Sequence, residues 1–260
     1  MRLTLTKTLR QTSTFIALAV IYAGIISCSG ERYTALMKAA QNGDNNAVGR
    51  MLDLGTEINQ QTSKGKTALM LAASGGHAST VKLLLDRGAD VTTKDKYGTT
   101  ALIVAATGGH SSTAKTLMDY DADPFLKDSS GGSALTNATF FGQTQTVAII
   151  LENTKLLPQI HSDELLLLTA GLGHIDIAKL LLARGASATA RGIKQRTALM
   201  AAAAFNKVQM VELLLAHHAD INAKDADGVT ALKVATDKGN QEIVNLLQAA
   251  VTNHPPTQQP

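Results

Sequence analysis

The sequence predicts an all-α solenoid of about seven helix-turn-helix repeats joined by short β-hairpin loops. The first observation is a fixed repeat period, since the segment that begins at Thr67 reads TALMLAASGGH and the one at Thr100 reads TALIVAATGGH. The second is that each unit holds two short segments with apolar residues at helical spacing, too short to be stable alone. Such units bury their apolar faces only against the next unit, which is how solenoids fold.

The N-terminal segment 1–27 has the pattern of a signal peptide. Three basic residues and no acidic residue precede an apolar stretch from Phe15 to Ile26. That stretch is about half the ~20 residues that a membrane-spanning helix needs. It ends in Ile25-Ile26-Ser27-Cys28, which resembles the lipobox of bacterial lipoproteins.

The lipobox resemblance implies that Cys28 is lipidated and becomes the mature N-terminus after cleavage of the bond between Ser27 and Cys28. In that family an Asp after the cysteine favours retention in the inner membrane, and Ser29 stands there in this chain. We therefore expect an outer-membrane lipoprotein that faces the periplasm, with the inner membrane as the alternative. The other interpretation of Cys28 is a buried or incidental cysteine behind an ordinary signal peptide or an uncleaved anchor.

The composition argues against two kinds of site, namely one built from several cysteines and one that binds nucleic acid. Cys28 is the only cysteine, so there is no intramolecular disulfide and no site built from several thiolates. The 24 basic residues, less the three of the leader, leave 21 against 21 acidic residues, so the mature chain is neutral. A nucleic-acid partner is not expected, because it would require a basic surplus on one face.

Seven units register on one position at a constant interval, except that the interval from the fourth to the fifth is two residues shorter. This register divides the chain into a signal peptide (1–27), a lipidated tether (28–33), a repeat domain (34–251) and a disordered, Pro-rich tail (252–260). The tether reaches at most ~18 Å beyond Cys28, so the first repeats are expected close to the membrane. The repeats start at Thr34, Thr67, Thr100, Ser133, Glu164, Thr197 and Thr230.

The period, with Thr-x-Leu opening five of the seven units and segments such as VKLLLDRGAD (81–90) in the second half, resembles the ankyrin repeat. The resemblance covers essentially the whole mature chain. Glycines such as Gly88 fit left-handed helix ends, a position held in other repeats by Asp121 and His218. A second set of glycines, two residues before the repeat starts, fits tight turns at hairpin tips.

The fourth unit departs from the pattern, because the segment 151–167 lacks the usual Gly-Ala ending and is two residues short. We expect a local irregularity there, and a pocket beside it is where an enzyme or ligand carrier would have its site. No nucleophile elbow, phosphate-binding loop or Ser/His/Asp set stands apart from the repeat pattern. His77, His110 and His174 share one repeat slot, so a structural role is favoured over metal binding. No catalytic residue, cofactor or metal is therefore expected.

The family resemblance implies that a protein partner binds to the hairpin tips and to the exposed part of the first helices, which line a concave surface. Three of the four mature phenylalanines fall on this face, with Leu172 among them, and aromatic residues commonly anchor interfaces. The tip residues Ser63, Lys64, Lys66, Lys96, Tyr97, Ile193, Lys194 and Arg196 include five basic ones, which suggests an acidic rim on the partner. The predicted contacts are Phe140, Phe141, Leu172, Phe205, Tyr97, Lys96, Lys194 and Arg196. The alternative is that Phe140 and Phe141 turn inward to fill the irregular unit.

These observations together predict a monomeric, envelope-anchored module that binds a periplasmic or membrane-acting protein. It would act as an immunity protein or inhibitor, or as a protective partner of a resident enzyme, and the sequence leaves both roles open. An effector exported to bind host proteins is a further alternative, which attachment to the membrane through Cys28 would argue against.

Overall fold

The computed structural model describes residues 32–153 and 159–253, and within these ranges the chain forms fourteen α-helices, one 3-10 helix (Ile193–Gln195) and no β-strand. The signal peptide, Cys28 and most of the predicted tail lie outside the described residues. The first helices of the seven repeats are α1 (Ala35–Gln41), α3 (Ala68–Ser74), α5 (Ala101–Thr107), α7 (Ala134–Phe140), α9 (Gln159–Leu172), α11 (Ala198–Ala204) and α13 (Ala231–Lys238). The second helices are α2 (Asn45–Asp53), α4 (Ala78–Asp86), α6 (Ser111–Asp119), α8 (Thr144–Asn153), α10 (Ile175–Ala183), α12 (Val208–Ala216) and α14 (Gln241–Asn253).

The helices stack in two layers, which confirms the predicted solenoid. Each first helix packs against the first helix of the next repeat, and each second helix packs against the next second helix. The first layer is rich in alanine, and residues such as Ala72 and Ala105 are fully buried because their small side chains allow close helix approach. The second layer supplies larger apolar side chains, among them the fully buried Leu84 and Leu181. Each repeat thus buries its apolar surface against its neighbours.

Six first helices begin at a capping hydroxyl. In the second repeat the Thr67 hydroxyl accepts a hydrogen bond from the Met70 N–H at 3.3 Å, and Thr100 does the same for Ile103. This bond satisfies one of the backbone donors that a helix N-terminus leaves open. The capping residues are Thr34, Thr67, Thr100, Ser133, Thr197 and Thr230.

The fifth repeat is different at this point. Glu164, where the register places its start, lies inside helix α9, which begins five residues earlier and runs for 14 residues instead of the usual seven or eight. Glutamate favours helix interiors and no Ser or Thr stands at 164 to begin a new helix. The extension ends in Asp163, whose carboxylate accepts a 2.7 Å hydrogen bond from the Ser187 N–H in the loop after α10. This repeat therefore has a helix where the second, third, fourth, sixth and seventh repeats have a hairpin tip.

The hairpin loops are five-residue turns. In the loop before the third repeat, one backbone hydrogen bond joins the Asp95 N–H to the Thr99 carbonyl, and the Asp95 carboxylate accepts from the Tyr97 and Thr99 N–H groups. Neighbouring tips are also linked, since the Lys96 N–H donates to the Lys64 carbonyl at 3.0 Å. The loops are too short for a strand ladder, and in the described ranges pairing amounts to one isolated bridge, Arg191–Thr197.

The predicted left-handed residues are confirmed. Gly88 after helix α4 has a φ of 89°, while Asp121 and His218 take the same place with φ of 64° and 60°. At the tips, Gly98 has a φ of 73°. At the C-terminal end, helix α14 runs to Asn253, two residues past the predicted boundary at 251.

Candidate protein-binding surface

In five repeats, a side chain between the two helices forms a hydrogen bond to the backbone of the repeat before. The Nε2–H group of His77 donates to the Gln41 carbonyl at 3.0 Å, and His110 does the same to the Ser74 carbonyl. The proton is assigned to Nε2 because a carbonyl only accepts. His174, Gln143 and Asn240 make the equivalent bond in their own repeats. The structural role predicted for the histidines is thereby identified as a bridge between repeats.

Glycine makes room for this bridge. A Cβ on Gly76, which has a φ of 71°, would lie 2.6 Å from Nδ1 of His110 in the next repeat. Gly43 stands in the same relation to His77, and Gly142 to His174. The imidazoles are engaged in these contacts, and no cluster of three or more metal-ligating side chains occurs in the part of the chain that the structure describes. The bridge thus joins neighbouring repeats close to the exposed ends of their first helices.

The concave face, defined as the hairpin tips and the exposed ends of the first helices, carries most of the exposed large apolar residues. Among the described residues there are five such side chains. Four of them lie on the concave face, namely Tyr97, Phe141, Ile193 and Phe205. The fifth, Leu54, follows the second helix of the first repeat and lies away from the tips.

Three predicted contacts form one row, here called the apolar row: Phe141, Leu172 and Phe205. They hold the same position, at the end of the first helix, in three successive repeats. Phe141 is 38% exposed, Phe205 is 58% exposed and Leu172 is half-buried. The Phe205 ring lies 3.5 Å from where a Cβ of Gly171 would be, so it reaches across to the preceding repeat. Packed first helices are ~8–10 Å apart, so the row spans roughly 20 Å.

Phe140 does not stand fully on this surface. Its ring meets that of Phe141 edge to face with centroids 5.2 Å apart, and its side chain is half-buried. Its carbonyl accepts the His174 bridge at 3.1 Å. Phe140 thus packs against the ring of Phe141, and Phe141 is the more exposed of the two.

The remaining predicted contacts lie on the tips. Tyr97 is 57% exposed, and Lys96 and Lys194 are also exposed. Arg196 is exposed and lies 3.9 Å from the Asp225 carboxylate of the next tip. All eight predicted residues therefore belong to the concave face, with Phe140 its most covered member.

Ile193 is absent from the predicted contacts, although its side chain is 91% exposed, more than any other large apolar side chain among the described residues. The sequence showed that Ile193 lies on a hairpin tip, and it did not show how exposed the side chain is. The degree of exposure depends on the shape of its loop, which lacks the glycine that other tips have two residues before the repeat start.

A cleft of about 210 Å³ lies between the fourth and fifth repeats, beside the irregular segment. Its lining is mainly apolar, and among the described residues its charged member is Glu164. The Ser133 hydroxyl in the lining caps helix α7 and hydrogen-bonds with Thr136. Among the lining residues that the structure describes there is no histidine or second carboxylate to activate that hydroxyl. The lining residues are Phe125, Ser133, Leu135, Thr136, Glu164, Leu165 and Leu168.

The second layer has a different surface chemistry. Lys82 and Asp86 form an exposed ion pair at 2.7 Å, and the Tyr120 hydroxyl of the next repeat donates to Asp86. The Lys82 ammonium, followed by the Tyr120 hydroxyl, holds the pKa of the Asp86 carboxyl below its usual value. Exposed pairs of this kind add little to stability.

None of the helices in the described ranges is long and apolar enough to cross a bilayer.

Comparison with known proteins decides the family. A model of three consecutive ankyrin repeats matches this chain over residues 17–95, 36–128, 89–163 and 165–255. The chain belongs to the ankyrin-repeat family. A search of curated proteins by sequence finds no significant match.

Solved ankyrin-repeat structures have the same architecture. The ankyrin repeat domain of human ASB11 superposes with a TM-score of 0.72 at 25% identity, covering 86% of this chain and 99% of that one. The ankyrin repeat domain of Bcl-3, a member of the IκB family, gives a TM-score of 0.70 at 24% identity, covering 83% and 98%. Ankyrin repeats are general protein-interaction modules and typically have no enzymatic activity.

Proposed function

We propose that this ankyrin-repeat protein is an envelope-anchored module that binds a periplasmic or membrane-acting protein on its concave face. The observation that carries the proposal is the placement of the exposed large apolar side chains, of which four of the five among the described residues lie on that face. Apolar and aromatic side chains at the centre of an interface supply most of its affinity. The apolar row provides the anchors, and the His174 bridge links the repeats of Phe141 and Leu172 before the partner arrives.

The anchoring part of the proposal rests on the leader and on Cys28. A charged segment, a short apolar segment and a lipobox follow one another in the order that lipoproteins require. The first helix begins at Ala35, so only a short tether separates the lipid from the repeats. The concave face is then presented within a short distance of the membrane surface, where membrane-acting proteins arrive.

Two roles fit this arrangement, namely an immunity protein or inhibitor and a protective partner of a resident enzyme. They differ in what happens to the partner's activity, which falls on binding in the first case and is preserved in the second. A second candidate function, the binding of a small apolar molecule, is favoured by the cleft beside Glu164. It predicts that a small molecule stays with the purified protein.

The experiment compares partner capture by three versions of residues 29–260 immobilised on resin and exposed to envelope extract. The first is unchanged, the second carries Phe141→Ser and Phe205→Ser, and the third carries Leu54→Ser. We expect one protein to be retained by the unchanged chain and by Leu54→Ser, and lost by the double variant. The expected loss of affinity is about a hundred-fold, from two anchors of ~1–2 kcal/mol each.

The controls keep this result interpretable. Phe141 and Phe205 are exposed at helix ends, so replacing them with serine leaves the core intact, which circular dichroism checks. Leu54→Ser removes an equally apolar side chain that is 86% exposed and lies off the concave face. Equal retention by all three versions would place the binding site elsewhere and overturn the proposal.

A further inference from the structure

The loop before the sixth repeat, here called tip six (Arg191–Arg196), differs in conformation from the other tips. Lys194 and Gln195 both have positive φ, 58° and 60°, where the other tips use a single glycine. The left-handed conformation is unfavourable for side chains with a Cβ, and two in succession are rare. Strain of this kind persists where the surrounding structure enforces it, and it concentrates at functional sites.

The surroundings of tip six do enforce it. A Cβ on Gly192 would lie 2.4 Å from Cδ2 of Leu167, so the side chain of helix α9 occupies the place where three other tips carry a capping aspartate. The Gly192 N–H donates to the Arg196 carbonyl at 2.8 Å, and the Ala226 N–H of the next tip donates to the Lys194 carbonyl at 2.9 Å. Tip six is therefore a rigid loop, held on one side by a helix and on the other by its neighbour.

This frame presents an apolar side chain at its apex, next to positive charge. Ile193 is 91% exposed, where the corresponding residues of other tips are Ser63, Lys96, Ser129 and Ala226. Lys194 follows it directly and is exposed. The loop holds the bulky apolar side chain of Ile193 in water. At 91% exposure, that side chain is not stabilised by packing within the protein.

The charges around the apex leave a positive surface. The Arg191 guanidinium donates to the Lys224 carbonyl at 2.8 Å and lies 3.9 Å from Asp220, so it is turned toward the next repeat. Asp225, the acid nearest Arg196, is only 7% exposed and accepts hydrogen bonds from the N–H groups of its own loop. Tip six itself holds three basic residues and no acidic one, so Lys194 and Arg196 present positive charge beside Ile193, while the exposed acid of the neighbouring tip is Asp227.

We propose that tip six binds an acidic and apolar segment of a protein partner, with an apolar side chain against Ile193 and carboxylates opposite Lys194 and Arg196. The inference rests on the proposed function and adds the chemistry of the partner. It follows from charge complementarity at the apex and from the rigidity of the loop, which lowers the entropy lost on binding.

The test uses a displayed library of random twelve-residue peptides, selected on the full-length protein produced with its own leader and purified in mild detergent. We expect the selected peptides to be enriched in Asp and Glu next to Leu, Ile, Phe or Tyr. Ile193→Ser should weaken their binding about ten-fold. Lys194→Asn should weaken it several-fold and reduce its dependence on salt, because asparagine keeps the left-handed conformation without the charge. Leu54→Ser should leave it unchanged.

Each other outcome overturns the inference. These outcomes are a selection that yields no binding peptides, selected peptides without acidic residues, and equal binding to Ile193→Ser and the unchanged protein. Binding of anionic phospholipid vesicles that depends on Ile193, with no peptide binding, would assign tip six to the membrane instead. Peptides that bind Ile193→Ser normally but not Phe205→Ser would contradict tip six while leaving the concave-face function in place.

Discussion

Replacing Gly76 by alanine is expected to destabilise the protein by roughly 2–3 kcal/mol. About 1–2 kcal/mol comes from the left-handed backbone, since Gly76 has a φ of 71°. About 1 kcal/mol more comes from the loss of the inter-repeat bridge, because the new Cβ would lie 2.6 Å from the His110 ring and displace it from the Ser74 carbonyl. The measurement is urea unfolding of Gly76→Ala and of the unchanged protein, followed by circular dichroism.

Gly88→Ala provides the matched control. Gly88 also has a positive φ, 89°, but a Cβ there would meet nothing within 4 Å. Gly88→Ala is therefore expected to lower the free energy of unfolding only through the cost of the left-handed backbone, which is about 1–2 kcal/mol. The extra effect at Gly76 should shrink in a His110→Ala background, where no imidazole remains to be displaced. Equal losses at Gly76 and Gly88 would show that the histidine bridge does not hold the repeats together.

Replacing Cys28 by serine is expected to abolish labelling of the protein with a fatty acid in growing cells. A cysteine thiol is the group that lipidation of this type modifies, and Cys28→Ser removes the only thiol in the chain. Each buried CH₂ of an acyl chain contributes about 0.8 kcal/mol to membrane binding, so loss of the lipid is also expected to release the protein from the membrane. The measurement is metabolic labelling with an alkyne-tagged fatty acid, followed by immunoprecipitation.

Ser29→Asp is the companion variant. It keeps Cys28, so labelling should be unchanged, while the lipoprotein sorting rule predicts a move from the outer to the inner membrane. Equal labelling of Cys28→Ser and the unchanged protein would exclude lipidation at this residue. Secretion of the unchanged protein into the medium would instead favour the exported effector.

The repeat period predicted most of the fold, because the residues that begin and end these helices act locally. The Thr67 hydroxyl caps its helix through an atom three residues away, and the left-handed Asp121 ends another. Such signals repeat in register and need no knowledge of tertiary contacts. The start of helix α9 was not predicted, because the local signal is missing there. Glu164 stands at the repeat start but does not cap a helix, and the helix begins earlier in the chain.

The positions of the candidate site residues could be predicted from the sequence, whereas the solvent exposure of their side chains could not. Phe141, Leu172 and Phe205 share one repeat position, which the register alone reveals. The exposure of Ile193 depends on Leu167 filling the space beside Gly192, a contact between residues that are distant in the chain. The carbonyl partners of the histidine bridges also become visible only when successive repeats are stacked.

The most direct test of binding through the concave face is photo-crosslinking in the cells that make the protein. Benzoylphenylalanine would replace Phe205 on the apolar row in one strain and Leu54 in another, since both side chains are exposed, at 58% and 86%. We expect irradiation to join one envelope or membrane-acting protein to the probe at 205 and none to the probe at 54. Crosslinks only at 54, or the same products at both positions, would contradict binding through the concave face.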